Sequence, residues 1–185
     1  MAIAQDILHA TEKNDLDAKR RKTMKVTDVM AKPPAYCNPQ TNLAAAVEIL
    51  WRQNCGILPI VDSKEKVVGL ITDRDICVAL GTRNRLPSDM TVSEVASGKI
   101  IACRPDDDVR GALATMAQAK VRRLPVIDAA GKLQGILSID DVVVRAETGT
   151  IKGDSELSFE DLANTLKILY ASKPLRAVQK KAAVA

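Results

Sequence analysis

Two short segments of the chain place a hydroxyl three residues ahead of a carboxylate: Thr72 and Asp75 in GLITDRD, residues 69–75, and Ser138 and Asp141 in GILSIDD, residues 135–141. Each segment opens with a glycine and two aliphatics and then turns abruptly polar. A hydroxyl residue followed three positions later by an acid, just before an apolar run, is a capping-box pattern that closes a helix N-terminus. The same arrangement also suits recognition chemistry. Free N–H groups at a helix start, with a hydroxyl beside them, fit a phosphate oxygen. A carboxylate one turn further on can accept from both vicinal hydroxyls of a ribose. Gly69 and Gly135 would let a ligand lie close to the backbone. Capping and ligand contact are partly compatible, so both stay open at this point.

The two segments belong to a longer internal repeat. Sliding the chain against itself gives a gapless match at an offset of 66 residues, with identical pairs such as Met24/Met90, Cys37/Cys103, Pro59/Pro125, Gly69/Gly135 and Asp75/Asp141. One supersecondary unit is therefore present twice. In each copy Pro39 or Pro105 opens a polar stretch whose Thr41 or Asp107 is a candidate helix N-cap. Leu43, Ala46, Val47 and Leu50 then recur at helical spacing, matched by Val109, Ala112, Leu113 and Met116. The β-branched runs LPIVD and LPVID follow as strands, then a polar turn, then the second strands VVGLI and LQGIL. ICVAL and VVVRA predict a closing helix too apolar to stand exposed. The fold expected is α/β: two β-α-β-β-α repeats related by a pseudo-twofold axis, plus a C-terminal helix. Each unit alone is too small for a stable core, so the two must bury their sheets together. The boundaries expected are an N-terminal extension over 1–24, repeats over 25–82 and 91–147, a linker over 83–90, and a tail from 148 to 185.

Composition narrows the function. Aromatic residues make up only 2% of the 185 residues, so the core is aliphatic and the stacking platform of single-stranded nucleic-acid binders is missing. The net charge of +4 is mild, and the basic run Lys19–Lys22 reads as a solvated linker. The four cysteines form no metal-ligand spacing and the one histidine, His9, lies far from them. Asp106-Asp107-Asp108 is better explained as an acidic helix start than as a metal site. No apolar run reaches membrane-spanning length and the N-terminus lacks a signal-peptide core, which predicts a cytoplasmic protein with reduced thiols. No nucleophile and base are paired in the pattern, so no enzymatic activity is expected.

VTDVM at 26–30, GILPIVD at 56–62, GLITDRD, RRLPVID at 122–128 and GILSIDD together resemble a tandem pair of CBS (cystathionine-β-synthase) domains, or Bateman module, of the stand-alone bacterial type. The resemblance covers about residues 24–147. It implies that the G-h-h-[ST]-x-x-[DN] motif binds adenosine nucleotides, with Asp75 and Asp141 on ribose and Thr72 and Ser138 near phosphate. It further implies a phosphate contact from Arg123, with Arg74 as a second candidate. Gly56 and Ile57 stand where the second repeat has Arg122 and Arg123, so the two sites should differ in affinity. Ile57, Leu58 and Pro59, with Val121, Leu124 and Pro125, are the expected walls of an adenine slot. The segments before the first helix of each repeat, Tyr36-Cys37-Asn38 and Ile101-Ala102-Cys103, are expected to approach the same clefts. Which repeat's wall faces which repeat's aspartate is open in the sequence.

The functional expectation is a non-enzymatic regulatory module sensing AMP, ADP, ATP, S-adenosylmethionine or NAD, with no obligatory cofactor. A homodimer and an unidentified protein target are the expected partners, without nucleic acid or membrane. The alternatives are a ligand-free structural or protein-docking module and, more remotely, a cysteine-based redox sensor. On the C-terminal flank, Ser158 to Asp161 reads as a capping box, and Leu162, Leu166, Leu169 and Tyr170 trace one helix face that must cover either the module or a partner.

Overall fold

The computed structural model describes residues 24–145 and 159–171. The N-terminal extension with its basic run and His9, the linker around 151–157, Ser158 and the basic tail lie outside the described residues. Each repeat centres on an antiparallel hairpin, β1 (Ile57–Val61) with β2 (Val67–Thr72), and β3 (Arg123–Ile127) with β4 (Leu133–Ser138). The register is the same in both, Ile60 opposite Gly69 and Val126 opposite Gly135. The hairpin tips meet. Lys66 bridges Lys132, and the Val67 amide donates to the Gly131 carbonyl at 3.0 Å. The Lys132 ammonium pairs with Glu65 at 2.5 Å across the same junction.

The leading strand expected in each repeat shrinks to a single-residue bridge. Cys37 lies parallel to Ile60, its amide donating to Pro59 O at 3.0 Å and its carbonyl accepting from Val61 N at 2.8 Å. Cys103 repeats this against Val126. Proline at 39 and 105 has no amide to extend the ladder, and the chain turns there. Thr41 and Asp107 cap that turn rather than the following helix: their side chains accept from Asn38 N at 3.1 Å and Arg104 N at 2.7 Å. The helix caps fall one residue later. Asn42 accepts from Ala45 N ahead of α2 (Leu43–Arg52), and Asp108 from Arg110 N ahead of α5 (Val109–Ala119).

The two cores are built by exchange. Short helix α1 (Val26–Val29) opens the first repeat, yet Val26, Val29 and Met30 are buried among Leu124, Val126 and Leu137 of the second. Conversely, Met90 and Val92, at the start of α4 (Val92–Val95), are buried with Leu43, Leu58 and Ile71 of the first. Each core thus takes its last apolar residues from the other repeat's leading segment, which welds the marginal units into one body. The crossing segments pair with the hairpins on arrival: Ala31 bridges Ile136, and Ser97 bridges Leu70.

This crossing assigns the two motif glycines. A Cβ on Gly135 would stand 2.6 Å from Met30 Sδ and 2.9 Å from the Ala31 carbonyl. A Cβ on Gly69 would stand 3.2 Å from the Ser97 carbonyl. The close approach expected of a ligand is made by the chain itself.

The helices that end the repeats, α3 (Asp73–Arg83) and α6 (Ile139–Arg145), bury only part of their apolar surface. Ile76 and Val142 are buried, but Val78 is 56% and Val144 82% exposed. The terminal helix α7 (Phe159–Tyr170) packs along α5, with Leu162 buried, Leu166 and Leu169 packed against the second core, and Arg110 Nε 3.1 Å from Asp161. It therefore covers the module's own second repeat. Tyr170 departs from the expected face and stands exposed. Among the described residues, no helix is long and apolar enough to cross a membrane.

Candidate functional site

Thr72 ends β2 and is the N-cap of α3, so strand and helix join without an intervening loop. Asp75 Oδ2 accepts from the Thr72 amide at 3.0 Å and from its hydroxyl at 2.7 Å, while Thr72 Oγ1 accepts from Asp75 N at 3.2 Å. The second copy reproduces this closely. Asp141 Oδ2 accepts from Ser138 N at 2.8 Å and Ser138 Oγ at 2.6 Å, and Ser138 Oγ accepts from Asp141 N at 3.1 Å. Both motifs are working capping boxes. Each also faces a cleft between the repeats.

The first cleft, about 420 Å³, holds Thr72, Arg74 and Asp75 of the first repeat against Lys99, Ile101, Lys120, Val121 and Arg122 of the second. The second cleft, about 300 Å³, holds Ser138, Asp140 and Asp141 of the second repeat against Pro33, Pro34, Ala35, Asn54 and Cys55 of the first. Each motif therefore faces the crossing segment and the pre-strand loop of the other repeat. Of the arginines that precede LPVID in the sequence, Arg122 opens beside Thr72 and Asp75, not beside the aspartate of its own repeat. Ile57 and Arg123 line both clefts. The Arg123 guanidinium lies over Gly56, where a Cβ would be 3.3 Å from Nη1, and its Nη2 is 3.7 Å from Asp140 Oδ2.

Of the remaining expected wall residues, Leu58, Pro59, Leu124 and Pro125 are buried in the hairpins and line neither cleft. Alternation along the strand points Leu58 and Leu124 into the cores, while Pro59 and Pro125 sit opposite Leu70 and Ile136 within the hairpins. The apolar lining of the clefts comes from Ile57, Val121, Ile101, Ala35 and Pro34. Cys37 and Cys103 are likewise corrected. They lie in the two separate cores at 4% and 6% exposure and line neither cleft. Burial pushes the Cys37 thiol up to about 11 and that of Cys103 to about 12. All four cysteines are free, and no group of possible metal ligands occurs among the described residues. Lys99 and the Pro33–Ala35 segment were missed in the sequence because they approach the motif only through the crossing. The repeat offset held the signal, since Lys99 and Pro33 are equivalent positions.

A third concavity, about 640 Å³, lies on the first repeat between α2 and α3; Val47, Leu50, Trp51, Ile76, Cys77 and Leu80 line it, and it reaches Asp73 and the second repeat's Arg122 and Arg123. Trp51 is 85% exposed there. The equivalent residues of the second repeat, Leu113, Met116 and Ala117, are buried, and α7 lies along that helix.

Two exchanged α/β repeats with a cleft on either side of their junction define a paired-repeat module. The CBS domain model matches residues 26–82 and again 92–147, and the chain belongs to the CBS domain family. A curated relative, the CBS domain-containing protein YhcV of Bacillus subtilis, is 29% identical over 130 residues, 70% of this chain and 91% of that protein. Other relatives are much longer: the chain spans 22% of an L-aspartate semialdehyde sulfurtransferase of Methanocaldococcus jannaschii, at 30% identity over 63% of this chain. Among solved structures, the CBS domain pair of protein MJ0100 in complex with 5′-methylthioadenosine and S-adenosyl-L-methionine has a TM-score of 0.61 at 28% identity, covering 66% of this chain and 95% of that one. CBSX2 in complex with AMP has a TM-score of 0.57 at 27% identity, covering 65% and 93%.

Proposed function

We propose that this chain is a non-enzymatic regulatory module of the cytoplasm that binds adenine nucleotides or related adenosyl ligands in the two clefts between its repeats. One observation carries it: the duplicated hydroxyl and carboxylate of Thr72/Asp75 and Ser138/Asp141 each face an inter-repeat cleft. In both motifs Asp Oδ2 holds the cap, and a ribose diol would take the other carboxylate oxygen. That similar CBS pairs have been solved with AMP, 5′-methylthioadenosine and S-adenosyl-L-methionine supports the ligand class. The free cysteines suit a reducing compartment. The test is a thermal-shift screen with AMP, ADP, ATP, S-adenosylmethionine and NAD, followed by calorimetry on Asp75→Ala and Asp141→Ala. Stabilisation that one or both variants weaken supports the reading. No shift with any of these compounds overturns it and leaves the structural or docking module.

The bare outer face of the first repeat favours a homodimer. Val47 and Trp51 there correspond to Leu113 and Ala117 on the helix that the second repeat covers with α7, and the described residues supply no such cover to the first. A second copy would meet this face about a twofold axis, apolar centre to apolar centre, with the Arg52–Glu48 pair at the rim. Sedimentation of Trp51→Glu as a monomer and of wild type as a dimer is the expected outcome. A monomeric wild type at tens of micromolar would exclude it.

A further inference from the structure

We propose that the two clefts take different classes of adenosyl ligand. The Thr72/Asp75 cleft takes one bearing a di- or triphosphate, and the Ser138/Asp141 cleft takes one whose 5′ substituent is uncharged or cationic. The proposal rests on the reading above that the clefts hold adenosyl ligands, and adds which ligand each accepts.

Charge carries it. The clefts are equivalent by the 66-residue offset, yet lining positions that match differ in charge. Where the first cleft has Arg74, the second has Asp140; where it has Lys99, the second has Pro33; where it has Lys120, the second has Asn54. Arg122 also lines the first cleft alone of the two. Lys120 directs its ammonium to the Ile168 carbonyl of α7, so it adds positive potential from the wall rather than a direct contact. Arg74, Lys99, Arg122 and Arg123 remain against Asp73 and Asp75. A polyphosphate entering a partly desolvated slot needs this excess of cations, and guanidinium forks match phosphate oxygens in pairs.

The second cleft has the opposite balance. Its one cation is Arg123, which stands 3.7 Å from Asp140, and Asp141 is beside them. A triphosphate placed there would meet two carboxylates and a guanidinium already engaged by one of them. Like charge at this range disfavours binding, so the cleft selects against anions. An adenosyl thioether meets no such penalty, and a sulfonium or ammonium group gains from Asp140. Arg123 faces both clefts, so its charge works for the ligand of the first and against a cation in the second.

The experiment is calorimetry of the full-length chain with ATP and with S-adenosylmethionine, on wild type, Asp75→Asn, Asp141→Asn, Arg74→Asp and Arg123→Gln, each first checked for a native melting transition. Arg74 is an exposed side chain, so Arg74→Asp keeps the readout independent of the caps. The expected result is that ATP affinity falls at least about tenfold in Asp75→Asn and Arg74→Asp and holds in Asp141→Asn, while S-adenosylmethionine shows the reverse pattern. Arg123→Gln moves the two in opposite directions, about threefold each, the size of a partly exposed charge pair. Competition of the two ligands for one cleft, or equal binding of ATP at both, overturns the charge sorting and leaves the adenosyl reading intact. Failure of both ligands to bind wild type overturns the reading itself.

Discussion

Arg123 and Ile57 occupy the same position in the two repeats, and each lines both clefts, yet only one of them is charged. The pair therefore marks where a structural twofold carries an electrostatic asymmetry. The arginine opens toward the basic first cleft and pairs across the second with Asp140. A symmetric fold of this kind supplies two shapes that are alike, and a few substitutions along the repeat make them chemically unlike.

Thr72→Ala and Ser138→Ala should each cost about 1 kcal/mol of stability without any ligand present, because each hydroxyl caps a helix. The motifs lie in different repeats, so the double variant should lose close to the sum. Urea denaturation of the ligand-free protein measures both. A neutral Thr72→Ala would mean that the cap carries no weight there.

Gly135→Ala should destabilise by about 1–3 kcal/mol, since the new methyl overlaps the Ala31 carbonyl and Met30 sulfur where the crossing segment lies. Gly69→Ala should cost less, because its nearest contacts are at 3.2 Å and one of them is the end of the Ile60 side chain. Adenosyl affinity should be retained by both variants if they fold. A variant with unchanged stability and abolished binding would instead return the glycine to the ligand.

Trp51 is the chain's one tryptophan, and its exposure makes it a reporter of the first repeat's outer face. Its emission should lie near that of indole in water at nanomolar protein and shift to the blue as concentration rises. Burial of an indole against apolar neighbours is the cause. Concentration-independent emission would argue against a dimer through this face.

Thiol labelling separates sensor from core. Cys77 is exposed and should react first, Cys55 more slowly, and Cys37 and Cys103 only on unfolding. The raised folded values, about 11 and 12 against an ordinary 9.0, keep both buried thiols protonated at neutral pH. Because the folded values are raised, this contribution to stability is complete below pH 9 and is lost as pH rises toward 12. The melting temperature of the wild type should therefore fall more steeply over that window than that of Cys37→Ala/Cys103→Ala. Rapid labelling of Cys37 in the native protein at pH 7 would revive the redox alternative.

The local features were legible because they rest on neighbours in the chain. A capping box spans three residues, a hairpin closes over a short turn, and a helical stripe repeats every turn, so Thr72/Asp75, VVGLI and Leu43–Leu50 announced themselves. The duplication told the same story twice. Where a short-range rule has two outlets, spacing does not choose between them: Thr41 and Asp107 cap a turn one residue before the helix caps Asn42 and Asp108. Leu58, Pro59, Leu124 and Pro125 were read as ligand walls because an apolar strand does not say which face is core.

By itself, then, the sequence determined that there are two alike α/β units, each ending a strand in a hydroxyl and carboxylate at a helix start. The tertiary structure alone decided that the units exchange their leading segments, bringing Lys99 and Arg122 of one repeat to Asp75 of the other. It also gave Gly135 to a crossing backbone rather than a ligand, and left Trp51 bare while covering its counterpart Ala117. The physical reason is the range of the interactions. Hydrogen bonds between near neighbours are written in spacing, whereas burial and charge across a junction depend on which distant segments arrive there.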